Sequence, residues 1–348
     1  MESRPSRTSQ TNAAKPFGWL RRIALTALGI ILLSAISWIS YQAIEAKADA
    51  HRFHQEGVLI DVGGYKLNID CTGKGSPTVV LVSGLEVPAK GWRLVQPGIA
   101  NFTRVCSYDR AGYGWSDAGP MPRTVSQIVL ELHTLLVNAD EKPPYILVGH
   151  SFGKDSVRMY HKLYPNDVAG MVLVEGGPDK LRLPASIRAL SEADLKRRQR
   201  SRKFASVLYF SGISRFLARK DIEGAGEPTD DQEWSYHAIQ PKFIRATTSE
   251  VENLVSGKDE AELADAPTLG DKPLVVLIAG KGMWGLPLVS QDWVDLRKTW
   301  VDGQIQLANH LSTRGKWLIV SDSTHMIPDE KPGAIVDAVR EVYGDTAH

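Results

Sequence analysis

The chain has 348 residues, 43% of them hydrophobic and 23% charged, which leaves room for one large domain with an insertion or two small ones and excludes a disordered or fibrous protein. With 41 basic residues against 40 acidic ones the formal charge is +1, and no segment interleaves aromatic with basic residues, so no nucleic-acid partner is expected.

Residues 23–44 carry no charge, and about twenty such residues suffice to cross a bilayer as a helix. Arg4, Arg7, Lys15, Arg21 and Arg22 precede the run, while Glu45, Lys47 and Asp49 follow it. The positive-inside rule therefore places residues 1–22 in the cytoplasm, makes 23–44 a single transmembrane anchor, and puts the remainder outside. Trp19, Trp38 and Tyr41 near the two ends suit the aromatic belts of a membrane. An alternative is a secreted domain released by cleavage, because Ala46, Lys47 and Ala48 have the small-x-small form of a signal-peptidase site. The run is longer than the roughly 7 to 15 residues of an ordinary signal core, which favours the anchor.

Residues 57–69 read as two strands joined at Gly63 and Gly64. Short apolar runs then recur at 78–82, 103–108, 145–148, 170–174, 274–278 and 317–320, separated by helical patterns. Runs of this kind, rich in Val, Ile and Leu, fit parallel strands buried on both faces, with the helices as crossovers. The expected class is α/β, with residues 57–176 and 268–348 forming the core. The alternation stops across 177–267, where 195–203 is basic, 204–217 is apolar and aromatic, and 221–234 is acidic. This segment is expected to be a helical cap over the C-terminal edge of the sheet. Phe204, Leu208, Tyr209, Phe210 and Phe216 are expected to line its underside and favour a substrate with an apolar portion. The basic residues 196–203 read as a solvated helix face, with an anionic membrane surface as the alternative.

Gly149, His150, Ser151, Phe152 and Gly153 follow the run 145–148 directly and open a helical pattern, the context that gives a G-x-S-x-G sequence its meaning. A strand-to-helix turn this tight crowds its neighbours, so glycines flank it and the serine is lifted clear of the sheet. The helix N-terminus beside it favours a developing oxyanion. The side chain of His150 points away from that of Ser151 on such a turn and reads as packing.

Together with residues 71–85 and the segment from Ser107 to Asp117, which holds Asp109, Arg110, Gly112 and Gly114, this motif resembles the α/β-hydrolase superfamily, in its haloperoxidase-like and proline iminopeptidase-like branch. The resemblance covers nearly everything after Gly57 except the cap. It implies an α/β-hydrolase fold: a mostly parallel eight-stranded sheet flanked by helices, with a helical cap insertion. It also implies that Ser151 is the nucleophile and that the backbone N–H groups of Leu85 and Phe152 form the oxyanion hole. Two departures stand out, Glu86 where the family carries a small residue and Lys154 where it carries a second glycine. Asp109 and Arg110 match the family's structural loop, and Cys71 and Cys106 fall on strands that are neighbours in its sheet, so a disulfide between them is open alongside two separate thiols.

A serine needs a base, and the family keeps its histidine where His325 lies, in a loop after the last strand; His310, inside a helical pattern, is the reserve. The family's usual slot for the acid, residues 279–285, holds no carboxylate. Some relatives carry it one strand earlier, where Glu175 stands; Asp292 is the alternative acid and Asp295 a further one. The expected activity is hydrolysis of an ester or related small-molecule acyl substrate through an acyl-enzyme. Amide cleavage of the iminopeptidase type, acyl transfer, and a non-catalytic binding or sensor domain at the membrane are the rivals. No cofactor motif and no metal-ligand spacing is present, so neither is expected, and the sequence is silent on oligomeric state.

Overall fold

The computed structural model describes residues 18–179, 184–224, 227–281 and 291–346. Arg4, Arg7 and Lys15, and the part of the empty acid slot at 282–285, lie outside the described residues. The chain begins with α1 (Gly18–Arg52), which contains the whole uncharged run. It then enters the hairpin β1 (Val58–Asp61) and β2 (Lys66–Thr72), whose tip glycines 63 and 64 both take positive φ and donate their N–H groups to Asp61. Next come β3 (Thr78–Val82), α2 (Gln96–Ala100), β4 (Val105–Tyr108), α3 (Val125–Asn138), β5 (Tyr145–His150), α4 (Gly153–Leu163) and β6 (Val168–Val174). Five consecutive helices follow: α5 (Ala185–Phe210), α6 (Ile213–Ile222), α7 (Asp230–Ala238), α8 (Pro241–Val255) and α9 (Lys258–Leu263). β7 (Leu274–Ala279), α10 (Gln291–Leu311), β8 (Gly315–Val320), α11 (Ile327–Glu330) and α12 (Pro332–Thr346) return to the sheet.

The eight strands lie in the order β1-β2-β4-β3-β5-β6-β7-β8. β1 and β4 each pair antiparallel with β2, and every pairing from β4 to β8 is parallel. Successive residues of a strand point to opposite faces. In β3 and β5 both faces are covered, so their runs are apolar without interruption. Val80, Val82 and Leu147 join the core that includes α3 and α4, while Val79, Leu81, Ile146 and Val148 join the one that includes α2 and α12. α3 shows why such a segment is helical. Thr124 caps it by accepting the N–H of Gln127, and Val125, Ile128, Val129, Leu132, Leu135 and Leu136 repeat at helical spacing and are all buried.

β2 runs three residues past the expected end at 69, because β4 supplies backbone partners as far as Thr72 opposite Val105. In that register Cys71 faces Cys106, and the two are joined in a disulfide with Cα atoms 4.1 Å apart.

Candidate active site

β5 ends at His150 and α4 begins at Gly153, so a single turn carries Ser151, whose φ is +52°. A non-glycine residue takes that conformation only where its surroundings over-determine it. Here the Ser151 N–H donates to the carbonyl of Val174 on β6 at 2.9 Å, and the flanking chain is packed too closely for side chains. A Cβ on Gly149 would lie 2.6 Å from the carbonyl oxygen of Gly153, and one on Gly153 would lie 2.2 Å from that of Val82. Both positions therefore require glycine.

The Ser151 Oγ lies 2.9 Å from Nε2 of His325, which is almost completely buried in the loop after β8. That loop is fixed by Glu330, which accepts the backbone N–H of Thr324 at 2.7 Å and the hydroxyls of Ser323 and Thr324 at 3.0 and 2.8 Å. His150 does more than pack: its Nε2 lies 2.9 Å from the backbone carbonyl of His325 and must carry the proton, since a carbonyl can only accept. Burial holds its pKa down to about 3, so His150 is neutral and braces the histidine loop.

Glu175 directly follows β6 with φ +48° and is fully buried. Its Oε1 is 4.0 Å from Nδ1 of His325, within ion-pair reach and beyond hydrogen-bond length. The carboxylate is oriented by the Ala279 N–H at 2.6 Å, by Nε1 of Trp300 at 2.7 Å and by Gln304 at 3.4 Å. Trp300 reaches it across Gly177, where a Cβ would sit 2.6 Å from the indole ring. Asp292 and Asp295 stand exposed on the first two turns of α10, and His310 is exposed on the same helix with Nδ1 on the Gln306 carbonyl. The structure thus brings Ser151, His325 and Glu175 together and leaves His310 apart.

The segment from Ser83 to Glu86 lies against the serine, since a Cβ on Gly84 would be 3.0 Å from that of Ser151. Leu85 follows, and Phe152 is the residue just before α4, so both sequence-chosen N–H donors flank Ser151; neither N–H donates to a backbone carbonyl among the described residues. This segment is held by Arg110, in keeping with the expected structural loop, together with two partners that sequence reading did not single out, Tyr113 and Glu250. The buried guanidinium of Arg110 donates to the carbonyls of Ser83 at 2.6 Å and Gly84 at 2.8 Å, and to Glu250 of α8. Tyr113 donates its hydroxyl to Glu250 at 2.6 Å and accepts the Glu86 N–H at 3.2 Å. Burial together with the Glu250 carboxylate pushes the Tyr113 phenol pKa up, so it stays a donor. Glu86 takes φ +63°; its carboxylate pairs with Arg198 of α5 and its carbonyl accepts Nε1 of Trp234 of α7 at 3.1 Å. Asp109 is structural, accepting the N–H groups of Ala89 at 2.7 Å and Trp115 at 3.1 Å. Lys154 is buried and neutralised by Asp155 at 2.8 Å and Asp179 at 3.1 Å.

The expectation that aromatic residues of 204–216 line a pocket is corrected. Phe204 and Phe210 are 60% and 63% exposed, Phe216 is 43% and Leu208 37% exposed, and Tyr209 is half-buried; none of the five lines either cavity described below. α5 instead turns two of its basic residues inward, Arg198 to Glu86 and Arg202 to Glu252 of α8 at 3.0 Å, while Lys196, Arg197, Arg200 and Lys203 stay exposed as expected of a solvated face. A cavity of about 310 Å³ beside Glu86 is lined by Arg198, Trp234, Phe243, Ile244 and Thr247. A larger one, about 700 Å³, runs from Pro88 and Met326 past Lys90, Trp115, Glu233 and His237.

The sequence profile described as the alpha/beta hydrolase family matches residues 79–338. The chain belongs to that family. It is 22% identical over 262 residues to the uncharacterized protein YbdG of Bacillus subtilis (strain 168), which covers 75% of this chain and 80% of that one. Other curated relatives are matched over about half of their length or less. Among solved structures, the family member here is similar to epoxide hydrolase VrEH1 from Vigna radiata (TM-score 0.61, 16% identity, 83% of this chain and 98% of that one). It is also similar to a thermophilic esterase from Thermogutta terrifontis (TM-score 0.57, 17% identity, 83% and 98%). At these identities the two structures establish the fold, including the mostly parallel eight-stranded sheet, and the chemistry rests on the site.

Proposed function

We propose that this alpha/beta hydrolase is a serine hydrolase that cleaves an ester or related acyl compound through an acyl-enzyme. The observation that carries the reading is the 2.9 Å approach of His325 Nε2 to the hydroxyl of a serine held at φ +52° on a strand-to-helix turn. Ser151 attacks the carbonyl carbon as His325 Nε2 takes its proton. This requires the Nδ1–H tautomer, whose proton faces Glu175, and the carboxylate stabilises the imidazolium as it forms. The N–H groups of Leu85 and Phe152 hold the oxyanion. The imidazolium returns its proton to the departing alcohol, and a water activated by the same histidine releases the acid. The 4.0 Å between His325 and Glu175 fits a site in which catalytic contacts tighten once substrate is bound.

Likeness to an epoxide hydrolase does not carry that activity over, because alkyl-enzyme chemistry needs a carboxylate where Ser151 stands. Helices α5 to α9 act as the cap. α1 is a single-pass anchor, with the N-terminus cytoplasmic and the hydrolase outside, where a Cys71–Cys106 bridge persists.

A fluorophosphonate probe is expected to label the full-length protein covalently, and Ser151→Ala to abolish labelling while leaving the melting transition in place. Folded wild-type protein that fails to label would overturn the reading in favour of a non-catalytic binding domain. p-Nitrophenyl esters of increasing chain length then define the acyl preference.

A further inference from the structure

The C-terminal half of α5 and the start of α6 expose apolar side chains that ordinary water-facing helices keep covered. Phe204, Val207 and Phe210 on α5 are 60%, 65% and 63% exposed, and Leu217 on α6 is 73% exposed, with Ile213 and Phe216 beside it. A cluster of exposed apolar side chains on consecutive helices marks an interaction surface. Its position in the molecule indicates with what.

The corner between the two helices is seated on α1. The Trp38 ring stands edge-on to Phe216 with centroids 5.5 Å apart, and Gly212 packs so closely that a Cβ there would be 3.1 Å from the Trp38 carbonyl oxygen and 3.4 Å from Cβ of Gln42. One turn further along, the buried Arg215 pairs with both Asp49 and Glu45 of α1. The corner is therefore fixed at the level of Trp38 to Gln42, whereas the uncharged run of α1 continues to Ile44. Six residues of helix rise is about 9 Å. A bilayer that takes up residues 23–44 thus meets the corner before it meets the end of the span. The border of the patch is cationic: Lys203, Arg219 and Lys220 are exposed, and the Arg219 guanidinium lies 4.9 Å over the Phe216 ring. Apolar side chains below and cations at headgroup level are the composition of an interfacial helix.

From this continuity we infer that the α5–α6 corner is a membrane-docking surface, sunk into the outer leaflet beside the span, with its basic border on lipid headgroups. The inference rests on the reading of α1 as an anchor. It is tested on the full-length chain reconstituted in vesicles, with an environment-sensitive fluorophore on one introduced cysteine at a time: Leu217→Cys, Ile31→Cys, and Val137→Cys as an exposed site on α3. The native cysteines are bonded to each other. Lipids brominated on their acyl chains are expected to quench the labels at 31 and 217 and to leave the label at 137 bright. Quenching at 31 with none at 217 overturns the docking surface and leaves the anchor standing. Quenching at neither overturns both. A label at 217 shielded from aqueous iodide but untouched by brominated lipid means that protein, such as a second copy of the chain, covers the patch, and also overturns the proposal.

Discussion

Glu175 illustrates how a single carboxylate acquires a role through its neighbours. It sits at the end of β6 with no access to water, and the Ala279 N–H and the Trp300 indole aim it toward His325. Glu175→Gln keeps the shape and removes the charge proposed to stabilise the imidazolium. Turnover of a p-nitrophenyl ester is expected to fall by about 10⁴-fold, the scale of the corresponding change in other triads, with KM little altered. Asp292→Asn is expected to leave turnover within a few-fold; the reverse pattern would move the acid to α10. His150 yields a prediction of a different kind. Its folded pKa of about 3 lies below the ordinary value of 6.5, so it is neutral when folded and gains a proton when unfolded over that interval. Its contribution to stability is complete above pH 6.5 and is lost as pH falls from 6.5 toward 3. His150→Gln, which can still donate to the His325 carbonyl, should flatten the decline of the urea midpoint across that window relative to wild type. An unchanged slope would mean that His150 is accessible to protons in the folded state.

Among the elements, the inserted helices are tied to the loop from Ser83 to Glu86 beside Ser151. α5, α7 and α8 each send one side chain to the segment from Ser83 to Glu86 or to the residues that hold it: Arg198, Trp234 and Glu250. The Arg110–Glu250 pair is buried on both sides, and removing one partner of such a pair costs about 3 to 5 kcal/mol because the other charge stays behind. Glu250→Gln should therefore melt at lower temperature and, if Leu85 is an oxyanion donor as proposed, also lower kcat by up to about 10²-fold through slack in this segment. Fluorophosphonate labelling should persist, because Ser151 and His325 are untouched, and Glu252→Gln, on the same helix but paired with Arg202, should change neither. A lower melting temperature with full kcat would reduce Glu250 to a structural role. The sequence foreshadowed β3 to β7 because parallel strands covered on both faces are uninterrupted apolar runs, whereas β8 kept such a run with Trp317, Leu318 and Ile319 exposed against the expectation of burial; it foreshadowed the approach of His325 to Ser151 because a motif and a chain position mark them. The clamp was not legible, since Arg110 and Glu250 are 140 residues apart and only the tertiary fold joins them. The apolar end of α5 was misread for a related reason: an apolar helix face looks the same in sequence whether it turns toward a pocket or away from the domain.

The whole molecule is held by two kinds of tie, one inside the sheet and one to α1. The Cys71–Cys106 bridge closes a stretch of 35 residues, for which loop entropy gives about 4 kcal/mol. A double Cys71→Ser, Cys106→Ser variant should melt well below the oxidised wild type and close to the reduced one; equal melting of all three would mean that the bridge does not form in solution. The tie to α1 bears on whether the N-terminal helix stays. Cleavage after Ala48 would cut α1 between Glu45 and Asp49, the two carboxylates on the buried Arg215, and would strip Trp38 from Phe216 and the buried Gln42 from Gly212. The domain would lose one of the charges that neutralise Arg215 and expose the surface beneath Gln42. Retention avoids both costs. The protein is accordingly expected to sediment with membranes, to resist alkaline carbonate, to leave only with detergent, and to have the mass of the full chain. A shorter soluble species beginning at Asp49 would show instead that α1 is a signal segment. Arg215→Ala separates the tie from the anchor: it should leave carbonate resistance intact while lowering the melting temperature of the detergent-extracted protein, because Asp49 and Glu45 then face each other without their cation.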